Sequence, residues 1–407
     1  MSDYLKEKWL HISIFNLSIV ALLGVIMRYK IGFEFPYFDQ KHLQHAHSHF
    51  AFTGWISHTL FVLMLLFLSQ QKFTLVLNKY KSIILGNLIC AYGMLFSFAM
   101  QGYGVISIFF STLSILNTYI FIFCFLRDLK LIEPHPSKNW FKASLIFYIF
   151  SSLGTFALAY MMITKHLPQN YLASVYYYLH FQYNGFFFFS CMGLFISQLY
   201  RFIPILKFNS QIFWLFAIAC IPTYFLSTLW MKLPIWLYVI VVIGAFMQVL
   251  GWVKLLQLVQ QNLSIFKTSI KPIWRKFFLI LALAISIKLL LQLGSAIPSI
   301  SKLAFGFRPI VIAYLHLVLL AIISFFLVLY IFCFNALGTF KNTIRAITLF
   351  VFGIFFNEFV LLIQGIGSFS YTIIPYANET LFVAAIIMFF GLVALLIIQL
   401  RKMNSYD

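Results

Sequence analysis

The chain has 407 residues, of which 63% are hydrophobic, 20% aromatic and only 9% charged. A soluble globular domain carries roughly 25% charged residues, so this composition excludes an ordinary soluble protein. The formal net charge is +19, but the lysines and arginines fall in short loops between apolar runs, and we expect no nucleic-acid partner. The composition predicts a polytopic membrane protein whose main partner is the lipid bilayer.

Twelve apolar runs reach the length of about 20 residues that a helix needs to cross the hydrocarbon core of a bilayer. We number them span 1 to span 12, and they cover residues 9–28, 45–69, 83–101, 105–126, 140–164, 172–200, 211–231, 235–258, 276–297, 309–334, 346–366 and 380–400. The connections are short, and no low-complexity tract separates two parts of the chain. We therefore predict an all-α protein in which residues 1–407 form a single twelve-helix transmembrane domain.

The distribution of Lys and Arg predicts the orientation. With the N-terminus inside, the inner segments hold twenty of these residues and the outer segments seven. Positive residues favour the cytoplasmic side, and an even number of spans then puts both termini in the cytoplasm. No small-residue cleavage site follows the first apolar run, so we expect it to be a permanent span and not a removed signal peptide. The pattern is that of a protein of the bacterial inner membrane.

Histidines occur in three non-adjacent spans. Span 2 opens with HAHSHFAFTGWISH and carries His45, His47 and His49; span 6 carries His180 and span 10 carries His316. In the predicted orientation the last two lie roughly 10–12 Å below the outer boundary, at 1.5 Å per residue. Polar groups in lipid are costly and tend to mark cofactors or pathways. These five histidines are the candidate metal ligands.

Helical spacing separates the histidines of span 2 into two faces. His45 and His49 are four residues apart and share one face, whereas His47 and His58 share another. One face is expected to hold a cofactor while the other makes ordinary hydrogen bonds between helices. The spacing leaves open which face has which role.

Two further ionisable residues lie within spans. Lys288 in span 9 is the only cation inside a span, and Glu358 in span 11 is the only acid. Lys288 is expected either to extend toward the membrane surface or face an anion, or to form an ion pair with Glu358. The sequence does not decide between these arrangements.

Four stretches resemble subunit I of the haem-copper oxidases, especially the cbb3-type and nitric-oxide-reductase branches. HFQYNGFFFFSCMGLFISQLYRFIP (residues 180–204) resembles the sixth helix of that family and HAHSHFAFTGW the second. LPIWLYVIVVIGAFMQVLGW (residues 233–252) looks like the start of the eighth, and YLHLVLLAIISFFLVLYIF (residues 314–332) sits where the tenth belongs. The resemblance implies a twelve-helix bundle with cytoplasmic termini.

The resemblance also implies cofactors and partners. One of His45, His47 or His49 would join His316 as the two axial ligands of a haem b. His180 would take the position of the first copper ligand, so copper is a second candidate cofactor. Arg308, at the outer mouth of span 10, is a candidate for holding a haem propionate, because the guanidinium fork fits a carboxylate. An electron-donor protein or other oxidase-like subunits are the implied partners.

Departures from the family pattern limit the expected activity. Span 7, which carries two adjacent copper-binding histidines in active oxidases, contains none here, and one imidazole is a poor copper site. We expect a haem-b redox or gas-responsive protein (NO or O2), an oxidoreductase with an incomplete copper site. The alternatives are copper or haem transport, an NnrS-like protein, or a twelve-span secondary transporter. Histidines that recur every four spans disfavour the two-half symmetry of transporters.

Overall fold

The computed structural model describes residues 2–71, 76–164, 168–203, 210–334 and 336–403. The chain is all-helical, with 88% of it in helix, and the described ranges contain no β-strand. The predicted fold class is therefore confirmed at this level. Pro204 of the sixth-helix motif, and Lys72, Lys165 and Lys207 of the charge count, lie outside the described residues.

Twelve helices in the described ranges are long and apolar enough to cross a membrane. They are Tyr4–Gly32, Gln40–Gln70, Lys81–Gln101, Val105–Leu131, Ser137–Thr164, Pro168–Phe202, Ser210–Thr228, Ile235–Gln261, Pro272–Gly294, Arg308–Cys333, Lys341–Ser368 and Ala377–Arg401. Each coincides with a predicted span and keeps its number. Most helices extend beyond the apolar run because Lys, Arg and Gln are good helix formers outside the hydrocarbon as well. The chain is thus a multi-pass membrane protein.

Local chemistry accounts for where span 2 begins. Asp39 caps the helix, with its Oδ1 accepting hydrogen bonds from the backbone N–H of His42 at 3.1 Å and of Lys41 at 2.8 Å. The hydrogen bond from His42 lowers the pKa of the Asp39 carboxyl, because it stabilises the ionised form. The first turn of the histidine-bearing helix is therefore fixed by an exposed carboxylate.

Gly102 makes the tight turn between spans 3 and 4. Its φ of 60° lies in the left-handed region, and a Cβ at this position would stand 2.6 Å from the His42 ring. The side chain of Ser107 then closes the start of span 4, accepting from the Gly104 N–H at 2.9 Å. This turn presents Tyr103 to the histidines of span 2.

The chain divides into two compact units. Unit 1 comprises Met1–Glu133 and Ser324–Asp407, and unit 2 comprises Pro134–Ile323. Unit 1 thus contains spans 1 to 4, the second part of span 10 and spans 11 and 12, whereas unit 2 contains spans 5 to 9 and the first part of span 10. The organisation of residues 1–407 as one domain stays a prediction.

Aromatic side chains fill the interior of both units. In unit 1 the rings of Phe61 and Phe121 stack with centroids 4.0 Å apart. In unit 2 the Trp140 ring packs against Phe189 and Phe213 at 5.4 and 5.3 Å. Aromatic pairs at these separations add to the apolar contact energy, so both units have rigid cores against which the polar groups are placed.

Three spans depart from regular α-helix in the same way. Spans 2, 6 and 10 contain π-helical segments, at Ala51–Ser57, Phe181–Phe187 and Leu317–Ser324. A π-helix shifts the backbone hydrogen bond from i→i−4 to i→i−5, is rare, and is found frequently at functional sites. The three π-helical segments were not predicted, because hydropathy does not distinguish the two backbone forms.

Candidate functional site

The three π-helical segments lie beside the histidines singled out from the sequence. His180 and His316 immediately precede the segments of spans 6 and 10, and His49 stands two residues before that of span 2. The same spans are the most buried: 83%, 72% and 72% of an 18-residue apolar stretch is buried in spans 2, 6 and 10, against 28–50% in the other nine within the described ranges. Buried polar residues within membrane spans are costly and often mark a functional site, so these three segments are the candidate site.

A short sequence repeat accompanies two of these segments. His49-Phe50-Ala51-Phe52-Thr53-Gly54 in span 2 corresponds to His180-Phe181-Gln182-Tyr183-Asn184-Gly185 in span 6. Histidine, phenylalanine and glycine are identical, and an aromatic residue stands two places before the glycine in both. The resemblance of each stretch to the oxidase family does not by itself reveal this repeat. An internal comparison was the signal that would have predicted the shared backbone.

Histidines on one face of span 2 pack against aromatic rings from the next helix pair. The His49 ring stacks on Phe98 with centroids 4.2 Å apart and an angle of 10°, and its Nε2 lies 3.2 Å from the Tyr103 hydroxyl. The His45 ring meets Tyr103 edge-on at 4.6 Å. The predicted common face of His45 and His49 is confirmed, and it turns toward span 3 and the turn after it.

His47 lies on the opposite face, together with His58. A Cβ added to Gly24 of span 1 would stand 3.8 Å from His47 Cε1. His58 is fully buried, and its Nε2 donates to the Trp9 carbonyl of span 1 at 3.4 Å. The predicted pairing of these two histidines on one face is also confirmed, and this face turns toward span 1.

Side-chain amides satisfy the carbonyls of the span 2 π-segment. Asn16 Nδ2 donates to the Gly54 carbonyl at 2.6 Å, and Asn87 Nδ2 donates to the Thr53 carbonyl at 3.2 Å. Asn16 Oδ1 in turn accepts from the Tyr92 hydroxyl at 2.6 Å. A helix inside a membrane needs such partners wherever its own ladder is interrupted, so spans 1 and 3 hold this segment in its π form.

His180 is fixed by two hydrogen bonds within unit 2. Its Nε2 donates to the Cys220 carbonyl of span 7 at 2.8 Å, and its Nδ1 accepts from Asn184 Nδ2 at 3.2 Å. The side chain is 1% exposed. Both ring nitrogens are therefore engaged with protein in this arrangement, which suits a tie between spans 6 and 7. The predicted role of His180 as a copper ligand stays a prediction.

His316 has a different environment. It is half-buried at the end of the α-helical part of span 10, and its Nδ1 donates to the Ile312 carbonyl at 2.9 Å. This bond sets the tautomer in which Nε2 carries the lone pair. A histidine that binds a metal is commonly oriented by such a bond from its other nitrogen to a backbone carbonyl. Arg308 is exposed at the first residue of the same span.

The histidines of span 2 belong to unit 1, and His180, His316 and Arg308 belong to unit 2. The structure brings His45 and His49 together around Tyr103. The predicted sharing of one haem by a span 2 histidine and His316, and the propionate contact of Arg308, stay predictions.

A small cavity in unit 2, lined by both apolar and polar residues, was not predicted. Its volume is about 20 Å³, and its polar lining comprises Tyr183, Asn184, Gln248 and Lys288. A cavity needs roughly 10–15 Å³ to hold one water molecule, so this cavity is large enough for one. The Lys288 residue is 8% exposed, and its Nζ donates to Gln292 Oε1 at 2.6 Å.

Glu358 has a partner within unit 1, where its Oε1 accepts from Asn357 Nδ2 at 3.2 Å. The ion pair between Lys288 and Glu358, one of the two arrangements expected from the sequence, stays a prediction.

No protein-family model matches the chain, and no curated protein sequence matches it. The fold defines its class as an all-helical, multi-pass membrane protein, in which histidines stand beside the π-helical segments of three spans.

Proposed function

We propose that this protein binds haem b in a bundle like that of haem-copper oxidase subunit I. It acts as a membrane redox or gas-responsive protein for NO or O2 and lacks the complete chemistry for reducing oxygen to water. The observation that carries the proposal is that the three most buried spans are those in which a histidine borders a π-helical segment. Burying imidazoles in a membrane protein is costly unless they serve a cofactor or a pathway.

The donor set fits a haem. The Nδ1–H of His316 is directed to a backbone carbonyl, which orients the ring and leaves the lone pair on Nε2. Aromatic rings flank His45 and His49, and such surroundings suit the flat, apolar face of a porphyrin. A bound haem would supply one-electron transfer or gas binding at its iron. His316 and one histidine of span 2 would hold it, and Arg308 would pair with a propionate.

The distribution of charge supports a location and an orientation for the protein. The excess of Lys and Arg in alternate connections supports cytoplasmic termini in a bacterial inner membrane. An electron-donor protein or further oxidase-like subunits would then complete the system. His180 adds little support for a copper site, because both of its ring nitrogens have protein partners.

A reduced-minus-oxidised absorption spectrum of the detergent-purified protein, together with its haem and copper content, tests the proposal. We expect a b-type spectrum with bis-histidine character. His316→Ala should abolish the spectrum, and so should one of His45→Ala, His47→Ala or His49→Ala measured separately. His180→Gln should leave the haem content unchanged.

The matched control is His11→Ala. His11 lies on span 1, and its Nδ1 also bonds to a backbone carbonyl four residues earlier, that of Glu7 at 2.6 Å. This variant should keep the full spectrum. A colourless protein from cells supplied with haem, or a spectrum that survives His316→Ala and all three span 2 variants, would overturn the proposal.

A further inference from the structure

Lys288 is a buried amine in a part of the chain that has no carboxylates. Residues 134–323, which form unit 2, contain fourteen lysines and arginines and not one Asp or Glu. The Lys288 residue is 8% exposed. Removing an ammonium group from water costs several kcal/mol unless hydrogen bonds and an opposite charge compensate. Unit 2 has no side chain that could supply the opposite charge.

A directional chain of hydrogen bonds begins at Lys288. Its Nζ donates to Gln292 Oε1 at 2.6 Å, Gln292 Nε2 donates to Gln248 Oε1 at 2.9 Å, and Gln248 Nε2 donates to Thr223 Oγ1 at 3.2 Å. The Thr223 hydroxyl ends the chain by donating to the Ala219 carbonyl at 2.8 Å. In each of these side chains the acceptor oxygen faces the neighbour nearer to Lys288, and the donor group faces away from Lys288.

This alignment favours a charged amine. The dipoles of two amides and one hydroxyl all point their negative ends toward Lys288, and such chains strengthen one another in a medium of low dielectric constant. The arrangement therefore offsets part of the cost of burying the ammonium form. An ammonium has three N–H donors, and within unit 2 one of them is directed to Gln292.

Lys288 is one of the residues that line the cavity described above. Tyr183, Asn184 and Gln248 provide its other polar lining, and Phe188 and Phe216 are among the apolar residues that complete it. The cavity volume of about 20 Å³ suits one particle close to the size of a water molecule. A phenol, an amide and an ammonium are groups that can donate hydrogen bonds to an anion.

We propose that this cavity binds a small monovalent anion, of halide or nitrite size, whose counter-charge is the Lys288 ammonium. The cavity volume excludes a larger organic acid, and the excess of positive charge over residues 134–323 attracts anions. The proposal does not depend on the histidine ligands of the proposed function.

Thermal unfolding of the full chain in detergent at pH 6 tests the proposal. The protein is purified in potassium gluconate, and chloride, bromide or nitrite then replaces gluconate at constant ionic strength. A ligand that binds only the folded state raises the melting temperature in a saturable way. We expect such a rise for the wild type and an apparent affinity at least about tenfold weaker in Lys288→Met, whereas Lys288→Arg keeps the response.

Two further variants make the outcome decisive. Lys276→Met removes an exposed lysine from the same span and should respond like the wild type. Gln248→Glu brings a carboxylate into the cavity, where it takes the place of the bound anion. The melting temperature of this variant should therefore not rise when a small anion replaces gluconate, which tests the proposal even if Lys288→Met does not fold. An equal response in Lys288→Met and the wild type would overturn the proposal, and so would a wild type that does not distinguish the small anions from gluconate. Loss of bound haem in Lys288→Met would assign the ammonium to a propionate and would also overturn it.

Discussion

The π-helical segments of spans 2 and 6 share a sequence pattern but are held by different means. In unit 1, Asn16 and Asn87 reach from neighbouring spans to the carbonyls of Gly54 and Thr53. In unit 2, the carbonyl of Asn184, at the position equivalent to Thr53, accepts a weak hydrogen bond from the Cys220 thiol at 3.8 Å. Amide donors from neighbouring spans hold the span 2 segment. We therefore expect the span 6 segment to depend more on packing.

The histidines that precede the two segments differ accordingly. His49 is half-buried, stacked on an aromatic ring, whereas His180 is fully buried and bonded at both nitrogens. The same local sequence therefore gives a half-buried histidine that packs on aromatic rings in one unit and a histidine that ties two helices together in the other. The comparison shows that the repeat specifies the backbone and that the neighbouring spans specify the role of the imidazole.

The largest expected effect concerns the glycine common to both segments. A Cβ at Gly185 would stand 2.5 Å from Phe147 Cβ on the neighbouring span 5, so Gly185→Ala requires that helix to move. We expect a loss of about 1–3 kcal/mol in stability, as for other overpacked cores. A Cβ at Gly54 would meet only the far edge of the Phe50 ring, at 2.7 Å, on the same helix. Gly54→Ala should therefore cost less, as measured by the midpoint of unfolding in detergent.

Gly294→Ala is the control for both substitutions. A Cβ at Gly294 would meet nothing within 4 Å, so alanine at this helix end should be neutral or slightly stabilising. Equal losses at Gly185 and Gly54 would remove the proposed difference in how the two segments are packed.

An intermediate effect is expected from the polar caps of the segments. Asn16→Leu removes the donor to the Gly54 carbonyl and the acceptor of the Tyr92 hydroxyl, and the Asn16 side chain is fully buried. We expect it to cost about 1–2 kcal/mol, near the upper end for hydrogen bonds between membrane helices. Cys220→Ala removes only the weak thiol bond and should cost less than about 1 kcal/mol.

Hydrogen–deuterium exchange locates these two effects. In Asn16→Leu the backbone amides of the span 2 π-segment should exchange faster, and those of the span 6 segment should not change. Tyr92→Phe separates the contribution of the Tyr92 hydroxyl from that of the carbonyl bond. If Cys220→Ala loosened the span 6 segment as much as Asn16→Leu loosens that of span 2, the thiol would be a stronger cap than its geometry indicates.

The smallest expected effect is a pH dependence at the other end of span 6. His135 packs on Tyr200 at 4.9 Å and accepts a hydrogen bond from the Ser137 N–H at 3.2 Å. Burial, and after it the charge of Lys138, lowers the pKa of His135 from 6.5 to about 4. Between these two values the unfolded chain binds the proton and the folded chain does not. Stability therefore rises with pH across this window and is lost as the pH falls toward 4.

The melting temperature measured across that pH window tests this prediction. His135→Gln should make the slope shallower, and Lys138→Met should do so only in part, because burial is the larger cause of the shift. An unchanged slope in His135→Gln would mean that other groups dominate the acid side of the stability curve.

The sequence was sufficient for features that depend on local periodicity. The twelve spans follow from hydropathy, and the separation of His45 and His49 from His47 and His58 follows from the helical repeat. Both were predicted and both are confirmed. Where helices continue past the apolar run, as span 4 does to Leu131, the prediction was short because hydropathy marks the hydrocarbon and not the helix end.

Other features could not be read from single spans. The π-helical segments depend on donors and packing supplied by neighbouring helices, although the repeat around Gly54 and Gly185 offered a signal. The engagement of His180 with span 7 could not be predicted, because depth in the membrane does not fix the direction in which a side chain points. The environment of Lys288 required Gln248 and Gln292 from two helices to be brought together.

The amino-acid sequence by itself thus determined that this is a membrane protein with twelve apolar spans, and which residues share a helix face, because both properties arise within one helix. The tertiary structure alone decided which histidine meets aromatic rings, which one is fully hydrogen-bonded, and that a lysine ends in a cavity free of carboxylates. Those outcomes are contacts between helices distant in sequence, and in an apolar environment such contacts set the free energy of each polar group.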